Sequence, residues 1–329
     1  MSVAINKKTS RLWSRLGPRP VYGQAVNSIA GQNPNIFVVS ADLGRSSGLD
    51  PFSKQCPDRY ANVGIAEQNM IGFCAGMNRV GFNVFASTFA PFASMRAAEQ
   101  VRMNLGYMQE GVKLVALGSG LAMGFLGNSH FGLEDLAIIQ AIPDIDIVCP
   151  ADCVEIYKTI ETLANSDRPT YVRLTGTANN PVCYEDDYKF EIGKGVWVKH
   201  PGEFNIISHG STVGKCKEAI NNLSLHHGTE VGLLNLHTIR PMDIGALEIA
   251  FSYGKRVIVV EEHFEYGGLG QSILNYMHKQ NIEPSKLVLH GIKNKFVATG
   301  SYEYMLAQQS LDVSGIERRV ADLLPKSGK

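Results

Sequence analysis

The feature that most constrains the fold of this chain is a regular alternation between short β-branched runs and longer segments of helical period. The runs NIFVVSAD, VKLVALGS, IDIVCPAD and PTYVRLTG are typical of buried strands, and helical stretches such as AEQNMIGFCAGMNRV separate them. This alternation predicts a mostly parallel α/β sheet. Open sheets of this kind bind ligands at the carboxyl ends of their strands, so the residues that follow each run are candidates for function.

The alternation stops at a polar passage punctuated by glycine and proline, NNPVCYEDDYKFEIGKGVWVKHPGE, and then resumes. The runs FNIISHGS, EVGLLNLHT, RVIVVEEH and KLVLHGI have the composition of a second set of strands. A chain of 329 residues with 44% hydrophobic content is large enough for two domains, each with its own core. We therefore predict two α/β domains, residues 1–190 and residues 191–329.

Charge, hydropathy and cysteine usage narrow the possible partners. Lysine plus arginine and aspartate plus glutamate both number 31, so no basic excess supports nucleic-acid binding. The first residues, MSVAINKKTSRLWSRLG, lack the apolar centre of a signal peptide, and no run approaches the roughly 18 apolar residues that span a bilayer. Six scattered cysteines are most simply free thiols in a reducing compartment. We expect a cytoplasmic protein that binds neither nucleic acid nor membrane.

One glutamate stands within an otherwise apolar stretch, RYANVGIAEQNMIGFCAGM. Glu67 is predicted to begin a helix, where a carboxylate favours the helix dipole without any chemistry, and this is the usual explanation for such a residue. Gly64 before it and the apolar MIGFCAG after it indicate instead a helix that enters the core. A buried carboxyl group favours its protonated form and can share or donate a proton at neutral pH.

These residues resemble a known family. GIAEQNMIGFCAGMNRVG, followed by VFASTFAPFASMRAAEQVRMNL, resembles the pyrimidine-binding domain of the thiamine diphosphate-dependent transketolases, and LHTIRPMD and VIVVEEHFEYGGLGQSI resemble their C-terminal domain. The resemblance implies a catalytic role for Glu67: it hydrogen-bonds N1′ of the cofactor's aminopyrimidine, whose 4′-nitrogen then removes the thiazolium C2 proton. It also implies small-molecule sugar substrates and transfer of a two-carbon ketol unit from a ketose to an aldehyde.

The resemblance gives roles to two further loops. Aromatic residues three positions apart usually mark a buried helix face, but Phe89 and Phe92 of STFAPF match positions whose rings pack against the aminopyrimidine. We expect Phe89 to stack and Phe92 to form a wall of the same pocket. His130 of GFLGNSH matches a histidine that faces substrate above the thiazolium, where an imidazole can hydrogen-bond a sugar hydroxyl or assist proton transfer.

Two positions depart from the family pattern. Leu126 stands where the family has an acidic residue that contacts a donor hydroxyl, and LGSGLAMG offers Gly118 and Ser119 where a second histidine is expected. A pocket with fewer hydroxyl partners cannot strongly favour polyols. We therefore expect a less polar or modified donor or acceptor in place of the ordinary pentose phosphates.

Four residues at the ends of predicted strands are candidates for binding anions or the cofactor. SADLGRSSG places Asp42, Arg45 and Ser46 at the end of the first strand. We expect Asp42 to contribute to cofactor binding, and Arg45 and Ser46 to substrate binding. Arg173 of YVRLTG matches another phosphate-contacting arginine of the family. Surface salt bridging is an equally simple explanation for both arginines.

An absent motif points to a second polypeptide. The family holds the cofactor's diphosphate through Mg²⁺ with a GDG motif in a separate α/β domain, and this sequence contains no GDG. The resemblance therefore implies a partner subunit that carries the GDG motif. Mg²⁺ would be bound mainly by that partner, with no metal ligand in this chain, and the assembly would be an α2β2 heterotetramer. Two alternatives stay open: the β subunit of a 2-oxo-acid dehydrogenase, where a CEQGI-type motif is expected in place of GIAEQNM, and a non-catalytic scaffold of the same fold.

Overall fold

A computed structural model describes residues 3–227, 230–254, 256–283 and 286–324. The strands of the described residues are β1 (Ile36–Ser40), β2 (Tyr60–Asn62), β3 (Asn83–Phe89), β4 (Lys113–Ser119), β5 (Asp146–Val148), β6 (Thr170–Thr175), β7 (Val196–Lys199), β8 (Phe204–Ser208), β9 (Val231–Asn235), β10 (Thr238–Arg240), β11 (Arg256–Phe264) and β12 (Leu287–Ile292). The α-helices are α1 (Lys7–Leu16), α2 (Pro18–Ala30), α3 (Asp50–Gln55), α4 (Glu67–Arg79), α5 (Ala98–Gln100), α6 (Asp135–Gln140), α7 (Cys153–Leu163), α8 (Thr212–His227), α9 (Ile244–Tyr253), α10 (Leu269–Lys279), α11 (Tyr302–Gln308) and α12 (Val313–Ala321). Tighter 3₁₀ turns cover Pro57–Arg59 and Gly124–Ser129, and π-helical turns cover Phe92–Arg96 and Val101–Tyr107 on either side of α5.

The first sheet has seven strands in the order β10-β5-β6-β4-β3-β1-β2. All pairs in it are parallel except β10, which runs antiparallel to β5. Strands β1, β4 and β6 are buried along their whole length, since helices cover both faces of the sheet, and this explains their continuous apolar runs.

The second sheet has five strands in the order β12-β11-β8-β9-β7, and only β7 is antiparallel to its neighbour. The predicted class, two α/β domains with mostly parallel sheets, is confirmed. Residues 176–195 connect the two sheets, and the predicted boundary between residues 190 and 191 lies within this segment.

The two domains are joined at the carboxyl ends of their strands. The backbone N–H of Cys149 donates to the carbonyl of His237 at 2.7 Å, and that of Gly210 donates to the carbonyl of Cys149 at 3.0 Å. Strand β10, from the second half of the chain, extends the first sheet. The second domain therefore covers the ends of β5 and β6, while the ends of β1 and β3 lie outside these contacts. Among the described helices, none is both long and apolar enough to cross a lipid bilayer.

Candidate active site

The segment before α4 is fixed to the end of β1 by one asparagine. The side-chain oxygen of Asn62 accepts hydrogen bonds from the backbone N–H groups of Asp42 and Gly64, both at 3.0 Å, and its amide donates to the Asp42 carboxylate at 3.1 Å. Asp42 itself is exposed and adopts a left-handed backbone conformation with φ of 57°. These bonds connect the predicted cofactor-binding aspartate to the loop that leads into Glu67.

Glu67 is the first residue of α4, and it is only 2% exposed. Its carboxylate has a cationic partner, because Nη1 of Arg96 lies 3.0 Å from Oε1 and 2.9 Å from Oε2. Sequence reasoning expected burial alone to govern this carboxyl group. The structure adds a charge-assisted hydrogen bond from Arg96 to that burial. Arg96 comes from the π-helical turn that follows β3.

Aromatic rings line the space beside this ion pair. Phe89 ends β3 and is 7% exposed, and its ring centroid lies 6.1 Å from that of Phe92. The imidazole of His130 contacts both rings edge-on, at 6.0 Å from Phe89 and 5.3 Å from Phe92. The guanidinium of Arg96 lies 4.0 Å above the Phe92 ring. Glu67, Phe89, Phe92 and His130 come from three separate parts of the sequence. Together with Arg96 they form one group of contacting side chains, here called the pocket.

The loop that carries His130 is attached to the second domain. The side-chain amide of Asn128 donates to the carbonyl of Val297 at 2.8 Å, and its oxygen accepts from the Val297 N–H at 3.3 Å. Gly127 has φ of 72°, and a Cβ there would come within 2.5 Å of Thr299 Cγ2. His130 Nδ1 is 2.9 Å from the Ser129 hydroxyl. Residues of the second domain therefore hold the backbone beside the predicted substrate histidine.

The two departures from the family pattern have visible consequences. Gly118 has φ of 61°, and a Cβ there would lie 2.4 Å from the sulfur of Met123 and 3.6 Å from the ring of Phe89. The thioether of Met123 thus fills the place of a side chain at position 118. Leu126 is 53% exposed, so its side chain offers an apolar surface near His130. Met123 and Leu126 therefore make this part of the site apolar.

An open cleft of about 410 Å³ adjoins this pocket through Gly118 and Met123. Two predicted substrate-binding residues, Arg45 and Ser46, line it and are exposed. Arg19, near the start of α2, lines the same cleft and adds a second exposed guanidinium. Two arginines and a hydroxyl group that line the same cleft can bind a phosphate or another oxyanion.

Arg173 lies elsewhere and differs from its expectation. It is 0% exposed, and its Nε donates to Asp135 Oδ2 at 2.9 Å. Its Nη2 donates to the carbonyls of Gly132 at 2.8 Å and Glu262 at 3.1 Å. Asp135 holds the pKa of this guanidinium above its usual value, although burial acts in the opposite direction. Because β11 of the second domain covers this strand end, Arg173 stabilises the domain junction and offers no accessible atom to a substrate.

Sequence reasoning missed Arg96, Arg19 and the attachment of Asn128. Arg96 follows Phe92 at the helical i, i+4 spacing, which signals that the two side chains share a face. Arg19 and Asn128 gave no comparable local signal, because each acts across a long sequence separation. Within the described part of the chain, no group of three or more His, Cys, Asp or Glu side chains is arranged to hold a metal ion.

Comparisons with known proteins agree with this architecture. The family "Transketolase, pyrimidine binding domain" matches residues 16–180, and "Transketolase, C-terminal domain" matches residues 193–316. An apulose-4-phosphate transketolase subunit of Phocaeicola vulgatus is 32% identical over 94% of this chain and 97% of its own. A solved structure described as "Split gene transketolase, inactive beta4 tetramer" superposes with a TM-score of 0.84 at 30% identity, over 93% of this chain and 98% of that one. The chain belongs to the transketolase family.

Relatives of two lengths are found. A 6-deoxy-6-sulfo-D-fructose transketolase subunit of Clostridium sp. is 28% identical over 91% of this chain and 92% of its own. The transketolase structure from Campylobacter jejuni shares the fold, with a TM-score of 0.78 at 22% identity, but this chain covers only 46% of it. The chain therefore has the extent of a split subunit and about half the length of that longer transketolase. Membership of the family implies thiamine diphosphate as cofactor.

Proposed function

We propose that this chain is the cofactor-activating subunit of a two-chain transketolase, which transfers a two-carbon ketol unit from a ketose to an aldehyde. The observation that carries the proposal is the convergence of the buried Glu67 carboxylate with Phe89, Phe92 and His130 in one pocket at the open edge of the first sheet. Flat aromatic faces beside a buried carboxylate fit the aminopyrimidine half of thiamine diphosphate. The transketolase family matches favour this branch over a 2-oxo-acid dehydrogenase subunit.

Bound thiamine diphosphate supplies a nucleophilic carbon that this protein does not itself provide. In the proposed mechanism, Glu67 holds the proton at N1′ of the aminopyrimidine, and its burial excludes water from that contact. Phe89 and Phe92 orient the heterocycle. His130 hydrogen-bonds a substrate hydroxyl and moves a proton there, and Arg45 and Ser46 bind the anionic end of the sugar.

Uncovered apolar surface beside the pocket supports a partner subunit. The helix α4 leaves one face open, since a Cβ at Gly72 or Gly76 would meet no atom within 4 Å, and Phe73 between them is 38% exposed. Ile65 and Tyr107 are exposed by 77% and 79%. Patches of this kind mark interaction sites. We place on this surface a subunit that carries the GDG motif, the diphosphate and Mg²⁺, in an α2β2 assembly in the cytoplasm.

The pocket also supports a particular class of substrate. Met123 and Leu126 make the surface near His130 apolar, while Arg19 and Arg45 give the adjoining cleft positive charge. We therefore propose an anionic, modified or sparsely hydroxylated ketose as donor. Two relatives are named for apulose 4-phosphate and for 6-deoxy-6-sulfofructose, which are both anionic sugar derivatives.

The test is reconstitution with the protein that carries the GDG motif, which we expect to be encoded beside this gene. The isolated chain should bind thiamine diphosphate weakly and turn over no ketose, and the mixture should bind the cofactor tightly and turn over its ketose. The reconstituted enzyme should use xylulose 5-phosphate with ribose 5-phosphate poorly compared with an anionic modified ketose. Full activity of the isolated chain would overturn the two-chain assignment, and efficient use of the pentose phosphates would overturn the substrate assignment alone.

A further inference from the structure

The ion pair between Glu67 and Arg96 is asymmetric. The Glu67 side chain is 2% exposed and fixed at the start of α4, whereas the Arg96 side chain is 45% exposed. A single guanidinium nitrogen, Nη1, lies within hydrogen-bond distance of both carboxylate oxygens, at 3.0 and 2.9 Å. Any other donor that binds this carboxylate in its plane must therefore share it with Arg96 or displace it.

The position of the guanidinium also matches the proposed position of the cofactor ring. Arg96 lies 4.0 Å above Phe92, the aromatic residue assigned to the wall of the aminopyrimidine pocket. A guanidinium is planar, donates N–H groups in its own plane and stacks on aromatic faces. A protonated aminopyrimidine has the same three properties. Arg96 thus makes with Glu67 and Phe92 the same kinds of contact that the aminopyrimidine would make.

We propose that Arg96 competes with the aminopyrimidine of the cofactor for Glu67, so that this residue sets the cofactor affinity of the site. The inference rests on the proposed function, because it takes Glu67 as the group that binds N1′. When the aminopyrimidine binds, Arg96 moves outward into solvent and Glu67 stays in place. Arg96 is therefore a positioning residue, since it acts on the reaction only through Glu67.

The direction of the exchange follows from burial. A carboxylate that is removed from water needs a hydrogen-bonding partner, so Glu67 must be paired either with Arg96 or with the cofactor. Arg96 has no such requirement, because a half-exposed guanidinium on a long flexible stem keeps its charge in water at little cost. Neighbouring Met95 is 46% exposed, so the outward path borders solvent.

The affinity of a ligand falls by the fraction of protein that is competent to bind it. A charge-assisted pair of this kind keeps most molecules in the closed arrangement. Removal of the guanidinium should therefore strengthen binding of the aminopyrimidine, by about 10- to 100-fold for a closed fraction of about 90 to 99%. A residue that held the cofactor directly would produce the opposite sign.

The experiment measures binding of 4-amino-5-hydroxymethyl-2-methylpyrimidine, the aminopyrimidine half of thiamine, to the full-length chain by calorimetry. Arg96→Met should bind it about 10- to 100-fold more tightly than wild type, and Arg96→Lys should fall between the two, because lysine keeps the charge and loses the planar fork. High salt should strengthen binding to wild type by screening the half-exposed pair, and should leave Arg96→Met unchanged. Arg102→Met, which removes an exposed arginine from the same helical region, is the matched control and should equal wild type.

Equal or weaker binding by Arg96→Met than by wild type, with the fold intact by circular dichroism, would overturn the competition. The gain should disappear in the double variant Arg96→Met with Glu67→Gln, since the carboxylate is what both groups contest, and a gain that persists would also overturn it. Thiamine diphosphate binding to the reconstituted complex separates the two proposals. Binding of the cofactor without an effect of Arg96 rejects the competition alone, whereas no binding by any variant rejects the proposed function and the competition together.

Discussion

Arg45 comes soon after one parallel strand of the first sheet and Arg173 lies near the end of another, and their surroundings are opposite. Arg45 follows β1, is exposed and lines the open cleft. Arg173 lies in β6, is fully buried and is paired with Asp135. Similar positions in the sheet thus give one cation to an open cleft and the other to the joint between domains.

This difference arises because the second domain covers the ends of some strands of the first sheet and leaves others open. Glu262 of β11 accepts hydrogen bonds from the N–H of Leu121 at 2.7 Å and from the hydroxyl groups of Ser211 at 2.9 Å and Tyr302 at 2.6 Å. These contacts bury the edge around β4 and β6. The edge around β1 and β3 lacks them, which leaves it open for ligands and a partner. Whether residues at the end of a strand are accessible to a ligand therefore depends on the neighbouring domain as much as on the strand itself.

The largest expected effect tests whether the residues at the open edge of the first sheet take part in catalysis. Glu67→Gln keeps the shape and a hydrogen-bonding end, but the amide cannot act as the acid at N1′. We expect hydrogen–deuterium exchange at the cofactor's C2 in the reconstituted complex to slow by about 10²- to 10⁴-fold, as is typical of a general acid–base step. Cofactor and partner should still bind.

The control for this prediction is Glu99→Gln, an exposed glutamate of α5 three residues after Arg96 in the sequence. It should leave C2 exchange unchanged. If Glu67→Gln also leaves exchange unchanged while folding and cofactor binding are intact, Glu67 acts only as a charge at the start of a helix, and the proposed function loses its central residue.

Arg173→Met tests whether the buried pair of Arg173 and Asp135 stabilises the fold. Removal of one member of a buried pair leaves the Asp135 carboxylate without its guanidinium partner, so the free energy of unfolding should fall by about 3 to 5 kcal/mol in urea titrations. The exposed pair of Lys189 and Glu191 supplies the control, and Lys189→Gln should cost less than about 1 kcal/mol.

The double variant Arg173→Met with Asp135→Leu sharpens the result. It removes both charges, so it should recover much of the stability that Arg173→Met loses. If Arg173→Met instead leaves stability unchanged and raises the KM for a phosphorylated ketose in the reconstituted enzyme, the arginine binds substrate, as the sequence resemblance implied.

Much of this organisation could be predicted from the sequence, because it depends on local periodicity. The alternation of strands and helices predicted the fold class, and Gly64 together with the apolar run after Glu67 predicted a buried glutamate at the start of a helix. These two features follow from short-range spacing combined with the geometry of a parallel sheet. The resemblance to the family, and not spacing, implied that Phe89 and Phe92 share a pocket and that His130 faces substrate.

The features that could not be predicted depend on contacts between distant parts of the chain. Arg173 reaches the carbonyl of Glu262, which is 89 residues away, and no local pattern shows that β11 will cover the end of β6. Strand β10 joins the first sheet from the second half of the chain for the same reason. The pairing of Arg96 with Glu67 joins positions 29 residues apart.

The buried edge should also show a pH dependence of stability. Asp152 follows β5, and burial raises its pKa from 3.8 to about 6, with the nearby charge of Glu155 adding to the effect. Since the folded protein holds this proton more tightly than the unfolded chain, the stability it contributes is full below pH 3.8 and is lost as the pH rises through about 6. Wild type should lose up to about 3 kcal/mol relative to Asp152→Asn across this window, at about 1.4 kcal/mol for each pKa unit.

Urea titrations at a series of pH values measure this difference. Asp186→Asn, at an exposed aspartate of the connecting segment, is the control and should run parallel to wild type. Parallel curves for wild type and Asp152→Asn would show that the three backbone N–H donors of Glu155, Cys183 and Tyr184 offset the burial of the carboxylate.

The smallest expected effect lies where the open and buried edges meet, at the attachment of Asn128 to Val297. Asn128→Ala removes two hydrogen bonds to backbone atoms on an exposed loop, and the net cost should be about 1 kcal/mol. Because the lost contacts act locally, hydrogen–deuterium exchange of residues 124–131 should accelerate about fivefold, the factor that corresponds to that energy.

Asn128→Asp keeps the acceptor for the Val297 N–H and loses the donor, so it should show an intermediate rate. Asn35→Ala, at an exposed asparagine after α2, should change nothing in this segment. Unchanged exchange in Asn128→Ala would show that the close packing of Gly127 on Thr299 is sufficient to fix the loop beside His130.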